Sequence, residues 1–116
     1  MIISTESLKE MIDSNEDFIL IDVRRKNELI YGTIPKAVHL CLQDFSNAFD
    51  LSDKKFSEMY NFKKPSKDKL IIVYCRTGNR SDIAAEYLNK KGYNVKNYEG
   101  SIKAWSQIDN NVKMYE

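Results

Sequence analysis

The sequence predicts an α/β fold built on a parallel sheet, and three observations carry that prediction. Phe18-Ile19-Leu20-Ile21 and Leu70-Ile71-Ile72-Val73-Tyr74 are continuous apolar runs of strand length, the pattern of strands buried on both faces. Stretches with helical periodicity separate the strand candidates, as parallel neighbours require, because their connection must cross over the sheet. The 116 residues carry no internal repeat and an ordinary mix of apolar and charged side chains, which suits one domain with one core. Residues 1–116 are therefore expected to form a single domain, packed over about 2–108 and followed by a short tail.

Ile2-Ile3 suits a short first strand, and Ser4 or Thr5 can cap a helix whose apolar face is Leu8, Met11 and Ile12. The run from Phe18 to Ile21 ends at Asp22. Arg24, Arg25, Lys26 and Glu28 then lead through Leu29, Ile30 and Tyr31 to Gly32, a short helix stopped by glycine. Ile34-Pro35 imposes a turn before a third short strand at Ala37-Val38-His39-Leu40-Cys41. Phe45 and Phe49, then Phe56, Met59 and Tyr60, mark two short helices, the second capped by Ser52 or Asp53. Lys63 to Lys69 is a solvated polar loop. After the run Leu70 to Tyr74 comes a helix with Ile83, Ala84, Tyr87 and Leu88 on one stripe and Gly92 as its stop. Val95 to Tyr98 is a further strand, and Ile102, Ala104 and Trp105 belong to a final helix that gives way at Asp109-Asn110-Asn111.

Charge narrows the function classes. The 18 basic residues nearly balance the 17 acidic ones, so no global field favours nucleic acid or an anionic membrane, and an anion site has to be local. No segment has the length of a membrane span, and Met1-Ile2-Ile3-Ser4 lacks the charged start and apolar stretch of a signal peptide. Two cysteines are too few for a disulfide framework. The expected compartment is the cytosol and the expected state a monomer, although no feature of the sequence sets the oligomeric state. With two scattered cysteines and one histidine, no metal site and no cofactor are expected.

The local anion site is legible at Cys75. The apolar run delivers this thiol to Arg76-Thr77-Gly78-Asn79-Arg80-Ser81, between the end of a strand and the start of a helix, where backbone N–H groups and the helix dipole favour anions. A thiol beside arginine at such a turn ionises readily, and the thiolate is the nucleophile. Sites in parallel sheets gather at strand C-termini. Asp22 and Cys75 each follow a buried strand, so both are expected at one edge of the sheet.

With these flanks, the loop from Cys75 to Ser81 resembles that of single-domain rhodaneses, the thiosulfate sulfurtransferase family. Ile21-Asp22-Val23-Arg24 with Glu28, Gly32-Thr33-Ile34-Pro35-Lys36-Ala37, and Tyr98-Glu99-Gly100 with Trp105 are similar to further landmarks of that family. Thr33 and Lys36 depart from it, standing where the family often has His and Gly. The resemblance implies a five-stranded parallel sheet with helices on both faces. It also implies that Cys75 takes the sulfane sulfur of thiosulfate or a related persulfide donor, and passes it to cyanide or to a thiol such as glutathione or thioredoxin.

In that mechanism Arg76 meets the anionic donor, and Thr77, Gly78 and Asn79 contribute mainly backbone donors. Arg80 either binds the anion or holds the loop by pairing with Asp22. Arg24 is a supporting residue, with Glu28 as a candidate partner. Related phosphatases and arsenate reductases use a loop one residue longer, and this loop holds no internal acid to protonate a phosphate ester's leaving oxygen. A non-catalytic binding module of the same fold is the other alternative. Cys41 is read as a small buried hydrophobe and His39 as a strand residue with a satisfied hydrogen bond.

Overall fold

The two continuous apolar runs lie side by side at the centre of a parallel sheet of order β2-β1-β3-β4 in the computed structural model, which describes residues 1–115. The strands are β1 Ile19–Asp22, β2 Ala37–His39, β3 Leu70–Tyr74 and β4 Asn94–Asn97. Leu20 pairs with Ile72 and Asp22 with Tyr74, so the two central strands end level. The sheet has four strands rather than the five that the resemblance implies. Ile2 makes only an isolated bridge to Asn97, because Ser4 already caps a helix by accepting the Ser7 N–H at 3.1 Å. One bridged residue leaves no room for a ladder.

Alternation along the strands splits the core in two. Ile21, Ile71 and Val73 pack with Phe45, Phe56, Ala84 and Leu88. Leu20, Ile72 and Tyr74 pack with Leu8, Tyr98, Ile102 and Trp105 on the opposite face. Helices α2 (Phe45–Ala48), α3 (Asp53–Tyr60) and α4 (Asn79–Lys90) thus cover one face, and α1 (Thr5–Asp13) and α5 (Ser101–Trp105) the other. Each fully buried Leu, Ile or Phe side chain contributes roughly 1.5–3 kcal/mol before entropy is counted.

Local signals set most boundaries. Ser52 caps α3 by accepting the Lys55 N–H at 3.2 Å, and the segment Lys26–Tyr31 is a 3-10 helix stopped at Gly32. α4 starts earlier than its apolar stripe suggests, at Asn79, with Gly78 as the cap in a left-handed conformation. Its buried stripe is Ser81, Ala84, Ala85 and Leu88, at helical spacing, while Ile83 is exposed.

Packing also runs past Asp109, where the sequence puts its end. Val112 is buried in the core with Ile34 and Trp105. Gly32 makes that return possible: its φ is +100°, and a Cβ there would lie 2.2 Å from the Asn111 carbonyl oxygen. The Lys113 N–H then donates to the Tyr31 carbonyl at 2.9 Å. The last described residues are thereby tied to the 3-10 helix, beside the cysteine loop.

At Lys36, where the family often has glycine, φ is +72°. The turn before β2 therefore keeps a left-handed conformation without the residue best suited to it.

Candidate active site

Cys75 sits directly after β3, level with the end of β1, and is 1% exposed. Its N–H donates to Ser101 Oγ at 3.1 Å, and that hydroxyl donates to the Tyr98 carbonyl at 2.9 Å. The first N–H groups of α5 take up the loop's carbonyls, Ile102 donating to Cys75 at 3.1 Å and Lys103 to Arg76 at 3.0 Å. With the carbonyls drawn towards α5, the loop's N–H groups turn inward. Gly78 N–H lies 3.1 Å and Ser81 N–H 3.4 Å from Cys75 Sγ, and the Ser81 hydroxyl lies 3.5 Å from it.

Gly78 is required by this arrangement. Its φ is +102°, and a Cβ would fall 2.5 Å from the Glu99 carbonyl oxygen. Burial opposes ionisation of Cys75, but hydrogen bonds from the Ser81 hydroxyl and from the backbone of Ser81, Gly78 and Thr77 outweigh it and hold the thiol below its ordinary range. The Ser81 hydroxyl also lies 3.2 Å from the Gly78 carbonyl, to which it donates while Cys75 is a neutral thiol. Rotation of that hydroxyl supplies a donor when the sulfur ionises.

The charged partners are exchanged relative to the sequence reading. Arg80 does not pair with Asp22: its two terminal nitrogens meet Glu28 Oε1 and Oε2 at 2.5 and 2.8 Å. Asp22 instead takes Arg24, which donates from Nε at 3.0 Å to Oδ1 and from Nη2 at 2.7 Å to Oδ2. Arg24 reaches only the backbone carbonyl of Glu28, at 3.4 Å. The cause is chain path. Arg24 turns back beneath the loop it opens and also donates to the Gly32 carbonyl at 2.8 Å, which leaves the Glu28 carboxylate facing α4. Arg80 holds Glu28 near pKa 2, with burial opposing and Tyr115 and the Arg25 N–H assisting.

Arg76 packs against Tyr115. Its Nε donates to the Tyr115 carbonyl at 2.6 Å, and its guanidinium lies 5.3 Å from that ring's centroid. Tyr115 stacks on Tyr31 with centroids 4.3 Å apart, donates its hydroxyl to Glu28 at 2.5 Å, and accepts from Arg24 at 3.1 Å. Arg25, Glu28, Tyr31, Arg76, Arg80 and Tyr115 line a cavity of about 420 Å³ beside the loop.

The structure thus gathers Gly78 and Ser81 around the Cys75 sulfur, with the Thr77 backbone also favouring its ionised form, and Arg76 and Arg80 around one cavity. Asn79 is exposed and opens α4 rather than donating to Sγ. Asp22 and Arg24 form a buried support beneath. Cys41 is only partly buried, and its thiol donates to the Gln43 side chain. His39 bonds the Arg24 carbonyl at 2.7 Å through Nε2.

Ser81, Ser101 and Tyr115 take places that the sequence reading did not assign. Ser81 was findable, being in the first turn of the helix that follows the cysteine. Tyr115 carried no signal, because it lies 40 positions from Cys75 in what reads as a tail. Among the described residues no cluster of His, Cys, Asp and Glu could hold a metal.

Comparison with known proteins gives a consistent result. Residues 4–108 match the model of the rhodanese-like domain. A mitochondrial protein of Schizosaccharomyces pombe named "Putative thiosulfate sulfurtransferase" is 39% identical over 101 residues, covering 86% of this chain and 71% of the relative. The thiosulfate:glutathione sulfurtransferase of Homo sapiens is 30% identical over 88 residues, covering 74% and 76%. The solved structure of a human single-domain sulfurtransferase superposes with a TM-score of 0.88 at 25% identity, covering 93% of this chain and 96% of that one.

Proposed function

The chain belongs to the single-domain rhodanese-like sulfurtransferase family, and within it we propose a thiosulfate sulfurtransferase that works through a persulfide on Cys75. The observation that carries this reading is the set of groups facing Cys75 Sγ: the Gly78 and Ser81 N–H groups donate to it at 3.1 and 3.4 Å, and the Ser81 hydroxyl, 3.5 Å away, can turn to donate once the sulfur ionises, so the thiol is held below its ordinary range. A reactive thiolate is what the chemistry needs, and a binding module does not need one.

In the first half-reaction the Cys75 thiolate attacks the outer sulfur of thiosulfate. The new bond joins Cys75 Sγ to that sulfur, the sulfur–sulfur bond of thiosulfate breaks, and its electron pair leaves with sulfite. One thiolate and one dianion become one persulfide anion and one sulfite dianion, so charge balances without an oxidant. The cavity beside the loop, lined by Arg76 and Arg80, supports a role for these arginines in meeting charge on the donor. In the second half-reaction cyanide or the thiolate of a small thiol attacks the outer persulfide sulfur and returns Cys75 as thiolate. Glutathione and thioredoxin are the proposed cellular acceptors, the first supported by the activity named for the human relative. A compartment that keeps thiols reduced, the cytosol, suits this cycle.

Intact-mass measurement after incubation with thiosulfate tests the reading. The chain should gain one sulfur atom, lose it on addition of cyanide, and gain none as Cys75→Ser. No added sulfur on the unaltered chain would overturn the proposal and leave the binding module in its place.

A further inference from the structure

We infer that Tyr115 is a positioning residue for the sulfur donor and acts through Arg76. The inference rests on the reading of Cys75 as a sulfur carrier and adds a residue to that site from outside the loop.

Arg76 is a long, flexible side chain on a partly exposed loop, and an unrestrained one would pay rotamer entropy to meet an anion. Tyr115 removes that freedom at two points. Its carbonyl accepts Arg76 Nε at 2.6 Å, and its ring lies beside the guanidinium, 5.3 Å from centroid to Cζ. With Nε tied back, the guanidinium plane is set. Among the described residues the terminal nitrogens of Arg76 have no hydrogen-bond partner, and the side chain lines the cavity shared with Arg80. A planar fork held in this way suits two oxygens of one sulfonate group.

Tyr115 is itself held firmly enough to orient another side chain. Its ring stacks on Tyr31 at an interplanar angle of 10°. Its hydroxyl is shared between Glu28 and Arg24, at 2.5 and 3.1 Å. Val112, three residues earlier, is anchored in the core, and the Lys113 N–H is bound to the Tyr31 carbonyl. A surface tyrosine without a task needs none of these restraints. Arg80, by contrast, is already engaged at both terminal nitrogens by Glu28, so Arg76 is the arginine left to grip the donor.

Steady-state kinetics with thiosulfate varied and cyanide saturating test this assignment. Tyr115→Ala should raise the thiosulfate KM about five- to tenfold with kcat changed by less than about twofold, the effect of losing one oriented charge-assisted contact. Tyr115→Phe keeps ring and carbonyl and should return KM to within about twofold of the unaltered chain. In an Arg76→Ala background, Tyr115→Ala should add no further loss. An unchanged KM in Tyr115→Ala, a Phe variant as impaired as the Ala variant, or an equal added loss without Arg76 would each overturn the inference. Should Tyr115→Ala fail to fold, Tyr31→Ala removes the other half of the stack, and its KM decides in the same way. Absence of any Cys75 persulfide on the unaltered chain would instead defeat the underlying sulfurtransferase reading, so the two failures are distinct.

Discussion

Two ion pairs flank the cysteine loop, and they differ chiefly in how much water reaches them. Asp22–Arg24 is sealed, with side chains 1% and 0% exposed. Every nitrogen of the Arg24 guanidinium is engaged, by the Asp22 carboxylate, the Gly32 and Glu28 carbonyls or the Tyr115 hydroxyl. Glu28–Arg80 is 15% and 33% exposed and borders the cavity. The geometry of both pairs is bidentate, so geometry alone does not separate their roles. Burial does. A sealed pair is costly to break because whichever partner remains is stranded without water. A pair at the wall of a cavity can loosen cheaply and so can serve the reaction.

The sharpest way to break this comparison is Arg24→Ala. It strands Asp22 and should cost about 3–5 kcal/mol, read as a lowered urea midpoint. A loss under about 1 kcal/mol would place the sealed pair in the same class as the open one.

Glu28→Gln is the matching change in the open pair. It should cost only about 1 kcal/mol of stability, yet slow persulfide formation about tenfold, because the Arg80 charge is then no longer fixed in place at the cavity wall. The same variant has a pH signature. Glu28 is held near 2 in the folded chain against an ordinary 4.5, so its contribution is complete above about pH 4.5 and fades as pH falls towards 2. Glu28→Gln should therefore flatten the decline in stability between those values, measured by urea titration at each pH.

A smaller effect is expected at Ser81, which meets the sulfur and belongs to neither pair. Ser81→Ala removes a donor from the thiolate, so the Cys75 pKa should rise and the thiolate absorbance should appear at higher pH than in the unaltered chain. An unmoved titration would assign the low thiol pKa to the backbone donors alone. The smallest change is expected away from both pairs, at Lys36 with its φ of +72°. Lys36→Gly should stabilise the chain by less than about 1 kcal/mol, strain relief being partly cancelled by added freedom in the unfolded chain.

The regions most legible in the sequence are those whose structure depends on neighbours in the chain. The run from Leu70 to Tyr74 forms a central strand, Ser52 caps α3, and Gly32 and Gly78 stand at left-handed turns. The fifth strand failed for a local reason as well, since the Ser4 cap stops Ile2-Ile3 after one bridge. The buried stripe of α4 is not legible at Ile83, because several apolar assignments fit one helix, and the sheet it packs on selects Ala84, Ala85 and Leu88.

What the sequence by itself determined is the parallel α/β order and the delivery of Cys75 to a glycine-bearing, cationic turn, since hydrophobic period, caps and the conformational range of glycine act over a few residues. Tertiary structure alone decided which carboxylate meets which arginine, and that Tyr115 lies on Arg76. Asp22, Glu28, Arg24 and Arg80 are interchangeable as charges, and Coulomb attraction does not name a partner. The partner is set by where a rigid backbone lets each side chain reach and by which ends are shut off from water. Those conditions depend on segments as distant as residues 22–32, 75–81 and 112–115 being packed together.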